Sequence, residues 1–318
     1  MHSSIDSLTL PVIGTWTKIW SGACRGAYFG IMTTYFSVLW LGMRLRIRPV
    51  IELEARPGFA TKMGVRLWNR LPASFKLRWS RWNKDLYQAP FSRLFIAPYL
   101  YWNYVHPERE LARFRPYYGG TEYTCFQDFF ARELAQPPVL SSETVAPCEG
   151  LLCDLLDFKE DYAANVKGER IRLRDIFGRG GETIPSDHRF LNIFLSNRDY
   201  HHVHAPTSGW IRRIEHIPGD LVVLRPWFYP RDPSLPALVN ERVNVDIEDE
   251  AGRTWYLSIV GGPAVNTILV NPETRVGAKV ATGQKIAGFE LGSTCCMAFP
   301  GSTRLKRGHH VRVFQDLN

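Results

Sequence analysis

Residues 190–204 read FLNIFLSNRDYHHVH. The apolar run Phe190–Leu195 has the length and composition of a buried strand, and the Ser-Asn pair after it is a turn signal. Asp199, His201, His202 and His204 then fall within eight positions. Side chains alternate along an extended chain, so Tyr200, His202 and His204 would share one face if a strand continues. Working outward, Trp210–His216, Leu221–Leu224, Arg242–Ile247, Thr254–Val260, Thr267–Val270, Lys285–Phe289 and Val311–Phe314 are further short apolar runs, parted by Gly, Pro, Asn and Asp. Such spacing predicts antiparallel, β-rich architecture from about Pro147 onward. Phe126–Leu134 predicts a helix leading into it, with Phe126, Phe129 and Phe130 on its core face.

The first part differs. Residues 1–120 carry 17 Lys/Arg against 6 Asp/Glu, a charge of +11, while residues 121–318 carry −3. Seven of the ten tryptophans also lie before residue 121. Cationic and Trp-rich together fits an anionic membrane surface, where indoles settle at headgroup level. Nucleic acid is not expected as partner, because no RNP, zinc-finger or helix-turn-helix pattern is present. The 18 residues Gly26–Met43 are uncharged and are followed by Arg44, Arg46 and Arg48. Spanning, interfacial and buried core helices all stay open for this stretch. From Lys62 to His106 the chain reads as helices broken at Pro72, Pro90 and Pro98, and residues 1–20 read as no secretory signal. The fold class is therefore α+β: a helical, basic, membrane-associating part over 1–120, then an antiparallel β-rich catalytic domain over 121–318.

Six cysteines without a CxxC pair predict reduced thiols rather than a disulfide framework. HxH with no carboxylate or cysteine at a ligand spacing is a weak metal signal, and no metal is expected. The stronger constellation lies downstream. Leu291–Thr294 reads LGST, and a serine hydroxyl after a strained glycine is placed to attack the preceding carbonyl. That attack needs a base and a carboxylate to orient it, for which His204 and Glu149 are candidates. The tripeptide alone reads as an ordinary turn.

The order of five motifs decides between these readings. Pro147-Cys148-Glu149-Gly150, Asn197–His204, Pro218-Gly219-Asp220-Leu221, Asn240-Glu241-Arg242-Val243 and Leu291–Thr294 together resemble the phosphatidylserine decarboxylases, from about Phe126 to near the C-terminus. The resemblance implies a self-processing proenzyme cut between Gly292 and Ser293 into a β chain, 1–292, and an α chain, 293–318. Ser293 Oγ would attack the Gly292 carbonyl to give an ester. Loss of the Ser293 α-proton would expel the Gly292 carboxylate, and hydrolysis would leave a covalent pyruvoyl group, the pyruvate cofactor. That group would form a Schiff base with phosphatidylserine and release CO2 and phosphatidylethanolamine. His204 matches the family's general base, Glu149 stands where aspartate is usual, and His201 matches the acid and carboxylate contact. Asp199 is a supporting candidate and His202 a bystander. Arg198 and Arg242 read as salt-bridge partners.

Three departures from the family pattern stand out. Glu149 adds a methylene to the expected carboxylate. Pro263 and Asn266 lie where a Gly/Ala-rich stretch ending in Gly-Ser-Ile is typical, and Cys295-Cys296 stand where apolar residues are usual. The cysteines read as small buried hydrophobes. The resemblance points to an anionic membrane, the cytoplasmic face of a bacterial inner membrane before a mitochondrial one, and a homodimer is left open. Two rivals remain: an uncut lipid-binding relative, and a serine hydrolase using Ser293 and His204. The latter lacks the Gly-x-Ser-x-Gly elbow.

Overall fold

The computed structural model describes residues 10–47, 59–136, 139–158, 163–166, 169–229, 232–262, 267–290 and 292–318. The helices gather at the start: α1 (Leu10–Arg44), α2 (Phe59–Arg70), α3 (Ala73–Gln88), α4 (Ile96–Asn103), α5 (Pro107–Leu111) and α6 (Phe126–Phe130); α7 (Leu235–Val239) comes later. Pro72 precedes α3 and Pro90 follows it, opening a 3-10 turn over Pro90–Phe95. Pro98 does not break the chain. It occupies the first turn of α4, where a missing N–H costs no helical bond.

One face of α1 packs Tyr28 and Phe36 into an aromatic cluster with Trp82, Leu86, Phe95 and Tyr99, and α6 contributes Phe126, Phe129 and Phe130. Phe36 stacks on Phe95 with ring centroids 3.9 Å apart. The predicted core face of the 126–134 helix is thus correct, although the helix is only one turn long. The other face of α1 leaves Ile31, Tyr35, Val38 and Leu41 exposed at helical spacing. Among the described residues no helix is long and apolar enough to cross a membrane. Gly26–Met43 lies inside α1 with one side covered by protein, so the spanning reading is not supported.

The strands are β1 (Phe114–Arg115), β2 (Glu133–Leu134), β3 (Gly150–Asp157), β4 (Ala163–Val166), β5 (Glu169–Arg172), β6 (His188–Leu195), β7 (His202–His204), β8 (Gly209–Ile217), β9 (Arg242–Asp249), β10 (Thr254–Gly261), β11 (Ile268–Val270), β12 (Lys279–Val280), β13 (Lys285–Phe289), β14 (Ser293–Pro300) and β15 (His310–Val311). Eight of them form an antiparallel sheet in the order β12-β8-β9-β10-β14-β6-β3-β15, and three more a smaller sheet in the order β11-β13-β7. β1 pairs with β2, and β4 with β5. The α+β expectation holds as mixed helix and antiparallel sheet.

Both faces of the large sheet are covered. On one, Leu191, Ile193, Leu195, Cys295, Met297 and Phe299 meet Val203, Ile286 and Phe289 of the small sheet. On the other, Phe190, Tyr256, Cys296 and Ala298 pack on Ile176 and Phe177 of a 3-10 segment, Leu173–Thr183. Cys295 and Cys296 are therefore fully buried on opposite sides of β14, as the reading of small hydrophobes expected. Burial also pushes the Cys296 thiol well above its ordinary pKa.

Two predicted strands depart from expectation. Leu221–Leu224 is coil, because the Asn240 side chain accepts from Val222 N at 2.9 Å and donates to Val222 O at 2.9 Å, replacing a strand partner. Val311–Phe314 shortens to β15, since the chain turns at Phe314 with φ 65°. Arg242 also departs from expectation. Its guanidinium donates to the carbonyls of Ile176, Asp175 and Asn240 rather than to a carboxylate. A buried fork satisfies three carbonyls there.

Candidate active site

Strands β6 and β14 pair as far as Leu195↔Ser293, and β7 and β13 pair from His202↔Gly288. Phe289 N donates to His201 O at 2.9 Å. Residues 196–201 therefore run from the large sheet to the small one, starting beside Ser293 and ending with His201 beside Phe289. The histidine-rich stretch thus begins next to the Gly-Ser pair.

Ser293 opens β14 and is wholly buried. Its Oγ has no hydrogen-bond partner among the described residues. The next hydroxyl shows the contrast: Thr294 Oγ1 lies 2.5 Å from Asn192 Oδ1 and 2.9 Å from Ile193 O. An unpaired buried hydroxyl costs about 1–3 kcal/mol, so Ser293 is placed at a cost to the fold. Gly292 before it has φ 36°, in the left-handed region that favours glycine. A Cβ on Gly262 would stand 2.5 Å from Gly292 O, so the second strand edge approaches the carbonyl as closely as a glycine permits.

The loop carrying His201 is tied from the helical side. Arg132 is buried, and its Nη2 donates to Arg198 O at 2.7 Å and to Asp199 O at 3.3 Å. Its guanidinium lies 4.6 Å from the Phe114 ring centroid. His201 Nδ1 is 2.8 Å from the same Asp199 O. A carbonyl only accepts, so Nδ1 carries the proton and Nε2 bears the lone pair. That Nε2 is buried and unpartnered among the described residues. Burial holds the ring neutral, with its pKa lowered to about 3. The result is a buried, neutral imidazole with a free lone pair and, buried as well, a serine hydroxyl without a partner among the described residues.

The Asp199 side chain does not orient His201. Its Oδ2 accepts from Ser196 N at 2.7 Å, and its Oδ1 lies 2.8 Å from His310 Nε2. This contact raises the His310 pKa. His202 Nε2 donates to Ala131 O at 2.9 Å, and its Nδ1 is buried without a partner among the described residues.

His204 and Glu149 are not joined. His204 Nδ1 donates to Gly283 O at 2.8 Å, and its Nε2 accepts from the Tyr200 hydroxyl at 3.1 Å. The ring lines a cavity of about 340 Å³ with Tyr200, Arg115, Glu133 and Lys285. Glu149 instead binds Arg113 Nη2 at 2.7 Å. A guanidinium gives a buried carboxylate a charge-assisted partner that a neutral imidazole cannot match, and the extra methylene extends its reach. The expected carboxylate–histidine–serine alignment is therefore not formed in this conformation. Arg113, Arg132, Tyr200 and His310 were not singled out as site partners from sequence. Arg113 and His310 partner residues 36 and 111 positions away, and no local pattern announces such pairs. Pro263 and Asn266 lie outside the described residues, as does Leu291.

The family model for phosphatidylserine decarboxylase matches residues 126–317. The phosphatidylserine decarboxylase proenzyme of Methylibium petroleiphilum is 32% identical over 207 residues, covering 58% of this chain and 72% of that protein. The proenzyme of Bordetella avium is 33% identical over 205 residues (57% and 69%), and that of Mannheimia succiniciproducens 29% over 204 residues (57% and 68%). With well over half of its length matched and all five motifs inside that span, the chain belongs to the phosphatidylserine decarboxylase family of carboxy-lyases.

Proposed function

We propose that this protein converts phosphatidylserine to phosphatidylethanolamine, using a pyruvoyl group that it makes from Ser293 by breaking its own Gly292–Ser293 bond. The observation that carries the reading is the unpartnered Ser293 Oγ, buried directly after a glycine at φ 36°, with an unpartnered imidazole nitrogen on the segment that runs on from the neighbouring strand. The residues present fit the group: the serine is free, and Gly262 leaves room beside the carbonyl it must attack.

His201 Nε2, a buried neutral lone pair without a partner among the described residues, takes the Ser293 hydroxyl proton in this reading. Ser293 Oγ then bonds to the Gly292 carbonyl carbon as that carbon's bond to Ser293 N breaks, and His201 passes the proton on to the freed amine. His204 takes this role only after its Tyr200 hydrogen bond opens. Once formed, the pyruvoyl carbonyl supplies an electrophile for the substrate amine and a sink for the electrons of the breaking C–C bond. His201 remains as the group that returns a proton to the reacting carbon, and its burial excludes competing water. Exposed Ile31, Tyr35, Val38 and Leu41 on α1, in a segment of +11 charge, support attachment to an anionic membrane surface from one side, without spanning.

Gly262→Ala is expected to force the Gly292 carbonyl aside, because backbone atoms stand 2.5 Å and 2.9 Å from the added Cβ. The cut should slow by about tenfold or more, since a misplaced reacting carbon loses its attack geometry. A time course on denaturing gels checks this, and wild-type cleavage in the variant would refute it.

One observation favours the uncut relative: Glu149 is held by Arg113 and His204 by Tyr200. Mass spectrometry of the purified protein separates the two readings. A fragment beginning at residue 293, blocked to N-terminal sequencing and lighter than the serine-ended peptide by one NH3, supports self-processing. A single chain of 36.5 kDa with no fragment overturns it.

A further inference from the structure

The residue two positions before the proposed scissile carbonyl is fixed on three sides. Glu290 N donates to Thr267 O at 2.8 Å. Its carbonyl accepts from Gln127 Nε2 at 3.0 Å, a side chain in α6 that is itself only 1% exposed. Its carboxylate, about 10% exposed, pairs with Lys84 Nζ at 2.6 Å. Three positions on, Ser293 is fixed in β14 between Leu195 and Gly261. The left-handed Gly292 thus hangs between two posts.

The post at Glu290 is set from outside the β-rich domain. Lys84 lies on α3, beyond the residues 126–317 that match the family model. α3 also packs Trp82 and Leu86 into the aromatic cluster with Tyr28 and Phe36 of α1. The pair is open to solvent at the lysine and covered at the carboxylate, so it is screened less than a pair exposed at both ends.

We propose that Lys84 is a positioning residue for self-cleavage: through its ion pair with Glu290, the helical part holds the segment entering the Gly292–Ser293 bond in the conformation that cuts. The inference rests on the self-processing reading above. Lys84 touches neither reacting atom. It sets how the chain approaches them, and small displacements of a reacting centre cost rate steeply. Assembly of the helical cluster therefore precedes maturation, and a β-rich domain folded without it holds its scissile segment loosely.

The test follows fragment appearance after synthesis of the full chain for wild type, Lys84→Met, Glu290→Gln, Lys84→Arg and the exchange Lys84→Glu/Glu290→Lys. Thermal midpoints and the activity of the fully cut fraction are measured alongside. Each neutral single variant is expected to cut about tenfold more slowly, or worse. Lys84→Arg should cut near the wild-type rate, and the exchange should recover most of the loss. Once cut, each variant should decarboxylate normally, which a general loss of packing would not allow. Single variants that cut at the wild-type rate overturn the proposal while leaving self-processing intact. So does an exchange no faster than the singles, or a Lys84→Arg chain that cuts as slowly as Lys84→Met. A wild-type chain that stays whole overturns both readings.

Discussion

Ser293→Ala is expected to leave the chain whole at 36.5 kDa and to abolish release of CO2 from phosphatidylserine vesicles. The variant removes the atom proposed to attack the Gly292 carbonyl and then to leave in its carboxylate, so neither the cut nor the cofactor can form and no slow route to activity remains. Loss of activity through misfolding is not expected to accompany it. The wild-type hydroxyl is buried without a partner, and alanine takes away a desolvation cost of about 1–3 kcal/mol without leaving a void. The uncut variant should therefore resist heat at least as well as a second uncut protein, His201→Gln, whose substitution replaces a ring packed on Phe130 with a flexible amide that has more polar atoms to satisfy. Denaturing electrophoresis, vesicle decarboxylation and a thermal melt read the three expectations separately. A cut chain, or an uncut one that still releases CO2, would remove serine-derived chemistry from consideration.

The second large effect is on stability in acid. Burial lowers the pKa of His201 to about 3, His202 to about 4 and His204 to about 3. All three rings are neutral in the native protein and bind protons near pH 6.5 once unfolded. Because the native values lie below the unfolded one, this stability is complete above about pH 6.5 and drains away as the pH falls towards 3–4. At pH 5 each ring removes about 2 kcal/mol, and three independent rings about 6 kcal/mol. That rivals the whole stability of many domains. Lys285 lowers His202 and His204 further, Glu133 opposes it, and Arg132 lowers His201. His310 runs the other way: its raised value, caused by Asp199, gives stability below pH 6.5 that is lost as the pH rises. Urea unfolding at pH 7 and pH 5 should show a large fall in midpoint and the uptake of about three protons on unfolding. Equal midpoints at the two pH values would contradict the buried, neutral assignment.

Much of this arrangement could be read from the chain alone, for identifiable reasons. The runs at 190–195, 242–247 and 254–260 became strands because β-branched and aromatic residues face a covered sheet. β14 was not anticipated. Its sequence, STCCMAFP, has small and sulfur-bearing residues of modest strand preference, and only burial between two neighbours makes it a strand. Leu221–Leu224 misled in the opposite sense, having the composition of a strand but an asparagine side chain for a partner. At the site, the five motifs located Ser293, Gly292, His201, His204, Asp199 and Glu149. They could not say which contacts form. Glu149 chose an arginine 36 residues earlier, and Asp199 a histidine 111 residues later. Partner choice among charged groups depends on distances that only the folded chain creates.

The place of β14 bears on the form that the proposed cut would produce. It lies between β10 and β6 in the interior of the large sheet, bonded along both edges, while β15 closes the end beside β3. A nick before Ser293 would leave a short peptide stitched into the middle of a structure that was built while it was still attached. Such a peptide does not diffuse away under native conditions, yet once melted out it faces an intermolecular search that the precursor never made. Maturation is then a one-way ratchet: thermal damage to the nicked form should be irreversible, and its durability is set by how slowly the sheet opens rather than by any equilibrium.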